Sequence, residues 1–346
     1  MEPNAARSPA MTDVAKLAGV SHQTVSRVLN DAAAVRPETR AVVLRAIADL
    51  GYRRNQAARA LVTRRSGLIG VIVDELRLYG PASTVSSVAQ AAREAGYGIT
   101  LDLLWDVTGS SVAAALEHQL SQAVEAVVLV AAHGDMPDAG VLRGLSMPLI
   151  ALDGFLGDAS PTAGVDQRAG GVMATRHLLE LGHRTVAHIT GPEDWPQAEA
   201  RLAGFHEALT QAGVRPGPVV TGDWSPRAGY EGCLRILAEN PSTTGLFVAN
   251  DQMAMGTLRA LAEAGKSVPD DVSVVGFDDI PEAAFSQPPL TTIRQDFAAL
   301  GREAVRLIVG AIGGEELPST LVPPRLVARQ STARPPRDHR RERPHR

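Results

Sequence analysis

Eight short runs rich in valine, isoleucine and leucine recur from Leu68 onward, and most are followed by a stretch with helical periodicity. The first series is LIGVIV (68–73), YGITLDLL (97–104), AVVLV (126–130) and PLIAL (148–152), with helices starting near Ser83, Ser110 and Asp138. A helix over 168–181 leads into the second series: TVAHIT (185–190), PVVTG (218–222), GLFVAN (245–250) and VSVVGF (272–277). Its helices fall over 198–212, 226–239 and 251–264. A strand that is apolar on both faces must be covered on both, which is the mark of a parallel sheet wrapped by helices. Two such series predict an α/β core of two doubly wound parallel-sheet subdomains, with a ligand cleft between the C-terminal ends of their strands. No repeat is strong enough for a solenoid.

The segment before this core has another period. Residues 12–30, TDVAKLAGVSHQTVSRVLN, predict two short helices around a glycine turn. Thr12 is placed to cap the first, with Val14, Leu17 and Ala18 on one face. Gly19 permits the positive φ of a tight turn. Ser21 offers its hydroxyl to the free amides of the second helix. There Val25, Val28 and Leu29 share a face, while His22, Gln23, Ser26 and Arg27 point away from it. A third helix opens with Pro37 in its first turn and closes at Gly51, adding Val43, Ile47 and Leu50 to a three-helix core. Any small helical hairpin shares this backbone pattern. The exposed polar face is what points to DNA, because glutamine and arginine near a helix start can read adenine and guanine edges in a major groove.

The following segment, GYRRNQAARALVTRRS (51–66), holds five arginines and no acid. It is expected to order only against phosphate. Asn55 is placed to cap a short helix over 55–62, in which Leu61 is the one large apolar side chain. Two roles stay open for Leu61: packing on the next domain, or a wedge between base steps of a minor groove. Charge runs the same way. Residues 1–66 carry 11 basic against 5 acidic side chains, residues 325–346 carry 8 against 2, and the body between carries 15 against 31. A basic head on an acidic body suggests that one module meets a polyanion.

Several classes fall away. A lone cysteine, Cys233, excludes a disulfide framework or a cysteine-based metal cluster. No apolar run approaches the roughly 18 residues that span a bilayer, and residues 1–16 hold no apolar h-region, so neither membrane nor secretory signal is expected. AEAGKS (262–267) has the end of a phosphate-binding loop without its first glycine, and Pro269 follows where a helix would start. No GxGxxG, GxSxG or HExxH occurs. His183 and His188 are badly spaced for a shared metal, and the neighbouring acids Asp278 and Asp279 face opposite ways on an extended chain. No enzyme, no metal and no cofactor are expected.

The predicted cleft collects polar side chains at its strand ends: Asp153, Asn250 with Asp251, Asp278, and Gln295 after TTIR. Asp251 reads better as a helix N-cap than as a ligand contact. Trp224, one of three tryptophans, follows a strand end in GDWS, where an exposed aromatic can stack on the apolar face of a sugar ring, although a tryptophan is more often plain core. Arg201 opens RLAGFHEAL and can pair bidentately with hydroxyls or a carboxylate.

Taken together these residues resemble the lactose/galactose repressor (LacI/GalR) family of bacterial transcription regulators. The resemblance runs from about residue 10 to 332, through DVAKLAGVSHQTVSRVLN, NQAARAL, GPEDWPQAEARLAGF, GDWSPRAGY, VANDQMAMG, DVSVVGFDDI and LTTIRQDFAALG. LRLYGPAS, GDWS, ANDQMA and TTIRQDF look closest to its lactose-repressor branch.

The resemblance implies an N-terminal all-α helix-turn-helix domain (11–54), a hinge (55–66) and a periplasmic-binding-protein-like core (67–332), between a flexible start (1–10) and a disordered basic tail (333–346). The N-subdomain would hold about 67–166 and 297–321, and the C-subdomain about 167–294 and 322–332. It further implies a cytoplasmic homodimer on a pseudo-palindromic double-stranded operator. His22, Gln23 and Arg27 fall at base-reading positions, Ser21, Thr24 and Asn30 near phosphates, and Leu61 in the minor groove. Contacts to a small sugar effector map onto Leu78, Pro81, Asp153, Arg201, Trp224, Asn250, Asp278, Gln295 and Phe297.

Departures from the branch bear on the ligand and the operator. Val130 stands in place of an asparagine, Val165 of an aromatic, Gln197 of a serine and His22 of a tyrosine, and Arg36 stands where a serine usually caps the third helix. The tail lacks leucine heptads, so no tetramerising coiled coil is expected. The rival readings are a nucleobase or phosphorylated effector and a solute-binding protein without a DNA role. Two carboxylates in the cleft argue against a phosphate, and the basic head against the solute-binding protein.

Overall fold

The structure, a computed structural model, describes residues 9–29, 35–53, 60, 65–130, 142, 144–153 and 161–336. The chain divides into two compact units, Met1–Ser66 and Gly67–Arg346.

The first unit contains α1 (Met11–Ala18), α2 (His22–Leu29) and α3 (Pro37–Leu50). Val14, Ala15, Val25, Val28, Val43 and Ala46 form its buried centre, with Ile47 and Leu50 packed against it. Two details differ from expectation. The first helix starts at Met11, so Thr12 lies inside it, and the Asp13 carboxylate accepts the Ala10 amide at 2.7 Å instead. Leu17 is half exposed, because the face that meets the other helices runs through Val14 and Ala15. Gly19 has φ 64°, and Val20 N–H reaches back to the Ala15 carbonyl at 3.1 Å, closing the turn. Ser21 Oγ accepts the Thr24 amide at 3.1 Å, as capping requires. Arg36 precedes α3 without a side-chain cap.

The second unit is two six-stranded sheets. The first contains β1 (Leu68–Val73), β2 (Gly98–Leu103), β3 (Ala126–Leu129), β4 (Leu149–Leu152), β5 (Thr162–Val165) and β11 (Thr320–Val322), in the order β11-β5-β4-β3-β1-β2 and all parallel. The second contains β6 (Val186–Thr190), β7 (Val219–Thr221), β8 (Gly245–Val248), β9 (Ser273–Asp278), β10 (Thr291–Arg294) and β12 (Arg325–Val327), ordered β12-β10-β9-β8-β6-β7, with only β12 antiparallel. Strand order reverses beside β1 in one sheet and beside β6 in the other, which places a crevice at the C-terminal ends of both.

Among the described residues seven further α-helices cover the sheets: α4 (Tyr79–Glu94), α5 (Gly109–Ser121), α6 (Gln167–Leu181), α7 (Pro196–Gln211), α8 (Pro226–Glu239), α9 (Asp251–Glu263) and α10 (Phe297–Ile312). The helix expected near Asp138 lies outside the described residues. α4 starts at Tyr79 rather than near Ser83, since Pro81 sits in the first turn, where its missing N–H goes unused. α6 and α7 cross so closely that a Cβ at Gly171 would lie 2.3 Å from the Arg201 carbonyl oxygen, and one at Gly204 would lie 2.3 Å from that of Arg168.

The chain passes between the halves three times, at Asp166, at Gln295–Asp296 and at Pro323–Pro324. After the second passage α10 buries Phe297, Leu300, Ala304 and Ile308 in the core of the first sheet. The segment expected to be disordered from 333 is fastened at its start: Ala333 N–H donates to Ser273 Oγ at 3.0 Å, and its carbonyl meets His183 Nε2 at 2.9 Å. These bonds satisfy backbone groups beside β9.

Candidate functional site

A cleft between the two halves encloses about 610 Å³, part of it open to solvent, within the roughly 300–1,000 Å³ of small-molecule sites. All nine residues singled out for a ligand line it: Leu78, Pro81, Asp153, Arg201, Trp224, Asn250, Asp278, Gln295 and Phe297. Tyr79, Thr84, Gln167, Trp195, Gln197 and Gln252 line it too. Of the substituted positions, Val130 and Gln197 reach the cleft, whereas Val165 is buried in β5.

Strand ends aim these side chains by unusual backbone. Five described non-glycine residues have positive φ, and Asp153 (52°), Trp224 (70°) and Asp278 (106°) are three of them. Such conformations cost on the order of 1–3 kcal/mol each and persist where the surroundings impose them. For Trp224 the surroundings include Gly191, where a Cβ would lie 2.2 Å from the indole ring. The ring is therefore seated against backbone and only 5% exposed, so of the two readings of this tryptophan it is the buried one that holds, at the edge of the cleft.

Arg201 lies on the second turn of α7 rather than at its opening, and is buried. Its Nη1 donates to the Ala249 carbonyl at 2.5 Å, its Nε to Gln167 Oε1 at 2.9 Å, and its guanidinium carbon sits 3.7 Å from the Phe277 ring centroid. Gln167 Nε2 donates to Gln295 Oε1 at 2.9 Å, and Gln295 Nε2 to Asp278 Oδ1 at 2.7 Å. Asp278 Oδ1 then faces Arg201 Nη2 at 3.8 Å, beyond hydrogen-bond reach. These four side chains form a loop open at one link, and the Nη2 protons are donors that the protein leaves to a ligand.

On the other wall Asp153 Oδ1 accepts the Val165 amide at 2.8 Å, while Gln197 Nε2 donates to the Asp153 carbonyl at 2.7 Å. Two buried polar atoms here have no partner, Trp224 Nε1 and Gln197 Oε1. An unmet buried group costs about 1–3 kcal/mol, so one donor and one acceptor stand ready for a polar ligand. Burial pushes the Asp278 carboxyl up to about 6, against the pull of Arg201. Burial also raises Asp153, and it lowers Arg201 against the attraction of Asp278.

Asp251 is not the helix cap expected. Asn250 caps α9 by accepting the Met253 amide at 2.8 Å, while Asp251 accepts from Thr292 Oγ1 at 2.6 Å and Ile280 N–H at 2.9 Å. Its role is to hold β10 and the loop after β9. Among the described residues no group of three His, Cys, Asp or Glu could hold a metal, and no helix is long and apolar enough to cross a membrane. No Ser, Cys, His or Lys lines the cleft among them.

In the first unit Ser21, His22, Gln23 and Arg27 are exposed and Thr24 and Ser26 half-buried, along one face of α2. Ser21 and Thr24 also bond to each other at 2.9 Å. Asn30, Asn55 and Leu61 lie outside the described residues. Signals for the cleft residues that were missed are weak: Gln167 looks like any first helical residue, and Trp195 carries no partner signature in GPEDWPQ.

A family profile described as bacterial regulatory proteins, lacI family, matches residues 10–55, and one for a periplasmic binding protein-like domain matches residues 175–332. The chain is 36% identical over 327 residues to the lactose operon repressor of Escherichia coli K12, covering 93% of this chain and 90% of that one. A crystal structure of the lac repressor dimer bound to operator and the anti-inducer ONPF matches with a TM-score of 0.83 and 34% identity, covering 94% of this chain and 100% of that one. The transcriptional regulator CelR–cellobiose complex matches with a TM-score of 0.71 and 33% identity, covering 93% and 99%.

Proposed function

Because the chain belongs to the lacI family of bacterial regulatory proteins, we propose that it is a sequence-specific transcriptional repressor whose operator affinity is set by a neutral sugar in the cleft. The observation that carries the ligand class is the polar inventory of that cleft. Two carboxylates, of Asp153 and Asp278, outnumber the one guanidinium, of Arg201, which repels a phosphate. Unspent donors on Arg201 and Trp224 and a free acceptor on Gln197 suit hydroxyl groups. The match to a regulator solved with cellobiose supports the same class.

In this reading the protein works as a cytoplasmic homodimer. Each helix-turn-helix (11–54) reads one half of a pseudo-palindrome, with half-sites spaced by whole helical turns. His22, Gln23 and Arg27 address base edges, Ser21, Thr24 and Asn30 the backbone, and Ser26 lies on the same DNA-facing helix. The hinge (55–66) orders on DNA from its cap at Asn55 and inserts Leu61 in the minor groove. A match to a lac repressor dimer on its operator supports this arrangement.

Coupling follows from where the ligand contacts lie. Gln167, Gln295 and Phe297 sit beside two of the three passages between the halves of the core (67–332). The Gln167–Gln295 bond joins those passages, and both glutamines belong to the Arg201–Asp278 loop. A hydroxyl closing the open link between Arg201 Nη2 and Asp278 therefore acts directly on those passages between the halves of the core, and its differential affinity for two subdomain orientations is the coupling energy.

Fluorescence anisotropy on the pseudo-palindromic DNA near its own gene, at fixed salt, with mono- and disaccharides added in turn, tests the proposal. A tight, salt-sensitive complex that one sugar shifts at least ten-fold is the expected result. DNA binding that no sugar moves, but a nucleobase does, would replace the ligand class.

A further inference from the structure

The buried cleft does not end at Trp224. A second, more open cavity of about 1,150 Å³ adjoins it, and Leu78, Trp195, Trp224 and Gln252 line both. The chain has three tryptophans, and this outer cavity is bordered by all of them. Trp224 stands at the passage between the cavities. Trp195 meets it edge-on, with ring centroids 5.7 Å apart and planes at 70°. Trp105, on the loop after β2, is 93% exposed. A single exposed tryptophan is ordinary on a protein surface. One that borders the same cavity as the only two others is not explained by packing.

The remaining walls say what the rings would meet. Asp74, Glu75, Asp106 and Asp223 border the outer cavity, with Arg77 as its one basic side chain. Arg77 is held by Glu75, Nη2 to Oε2 at 2.6 Å, which offsets its charge. Flat aromatic faces beside an excess of carboxylates suit a ligand with apolar ring faces, hydroxyl donors and no negative charge. The inner cleft has the same chemistry.

We propose that the effector is a neutral di- or oligosaccharide, with one ring in the buried cleft and the next in an outer subsite formed by Trp195 and Trp105. The inference rests on the sugar reading given above and adds the length of the ligand. Its mechanical meaning follows from the fold: Trp105 belongs to the first sheet's half and Trp195 to the second's. A second ring between them bridges the halves further from the passages at Gln167 and Gln295 than a first ring can, so a disaccharide biases their orientation more strongly than its component monosaccharide.

The three tryptophans also make intrinsic fluorescence a reporter confined to this site. Full-length protein is titrated with common hexoses and with the α- and β-linked disaccharides built from them, following tryptophan emission, and the same sugars are scored for their effect on the operator complex. The expected result is a disaccharide bound at least ten-fold tighter than its monosaccharide, with that ratio reduced three-fold or more in Trp105→Ala. Trp105 is fully exposed, so its removal leaves no cavity in a core; Trp195→Ala, checked by thermal unfolding, gives the second reading of the ratio. Equal affinities for mono- and disaccharide, or a ratio that neither substitution changes, overturns the outer subsite while keeping the sugar reading. Failure of every sugar to bind overturns both.

Discussion

Replacing Arg201 by methionine keeps an apolar stem over the Phe277 ring and removes the charge. Two buried acceptors, the Ala249 carbonyl and Gln167 Oε1, lose their donor, at about 1–3 kcal/mol for each that finds no substitute. That part of the cost does not depend on pH. A second part does. Asp278 sits at about 6 with the arginine present, and the arginine is the main influence holding it down against burial. Without it the carboxyl rises further, as a buried acid without a cationic partner does.

The sign is fixed by which state holds the proton. A carboxyl raised on folding binds more protons in the native than in the unfolded state, so stability falls as pH rises until the folded pKa is passed. In the wild type this loss ends just above pH 6. In Arg201→Met it continues to higher pH, at about 1.4 kcal/mol per pH unit. The difference in unfolding free energy between the two proteins is therefore expected to grow as pH rises from 6 to 8, by at most about 1.4 kcal/mol per pH unit. Asp153, which the same arginine pulls down, adds in the same direction. Urea unfolding at both pH values measures it. Parallel curves would show that Arg201 and Asp278 are not electrostatically coupled across 3.8 Å, and the loop that links ligand to the passages between the halves would lose its open link. Sugar affinity is expected to fall at least ten-fold in the same variant, since a charge-assisted bond is worth about 1.5–3 kcal/mol.

Three other outcomes follow from the geometry. Arg27→Ala is expected to relax discrimination at one base pair by about 1–3 kcal/mol, read by competition between base-substituted operators; uniform weakening across all of them would make Arg27 a phosphate contact. Gly171→Ala puts a methyl 2.3 Å from the Arg201 carbonyl, so it should destabilise the core by about 1–3 kcal/mol and weaken sugar binding together, whereas lost stability with intact sugar affinity would mean that α7 does not shift. His188 is buried between the Phe205 and Phe247 rings, and burial lowers it to about 3. Its unfolded form takes up a proton first, so stability falls as pH drops below 6.5, by about 2 kcal/mol at pH 5; His188→Phe should lack that loss when urea midpoints at pH 7.5 and 5 are compared, and an unchanged loss would assign it to other groups.

How much of this was legible depends on where each property is encoded. The eight apolar runs were readable because a strand buried on both faces carries its environment in its own side chains. β5, the four residues TAGV, holds a glycine and a threonine and reads as a loop; it becomes a strand only because β4 and β11 offer it two edges. β11 and β12 are three residues each and exist because the third passage brings the chain back to both sheets. The nine cleft residues were reached through resemblance to a family, and the polar strand ends among them through topology. Neither route reached Gln167, which is invisible as the first residue of a helix and matters because it bonds Arg201, 34 positions away, and Gln295, 128 away.

Trp224 shows the same limit more sharply. Its motif, GDWS, indicates a turn after a strand and leaves open whether the tryptophan lies outside or in the core. Its burial is decided by Gly191, on another strand end, which lacks the side chain that would push the indole out. The seat then fixes the passage between the inner and outer cavities, and with it the ring size and number that can enter. Local pattern places such a residue on an element; the choice of ligand lies in which absent side chain lets it turn inward. The discriminating substitution is thus Gly191→Ala rather than any change at the tryptophan. It is expected to lower sugar affinity at least ten-fold in a fluorescence titration, at a position with no ligand contact of its own, and undiminished affinity would mean that Trp224 is seated by other contacts.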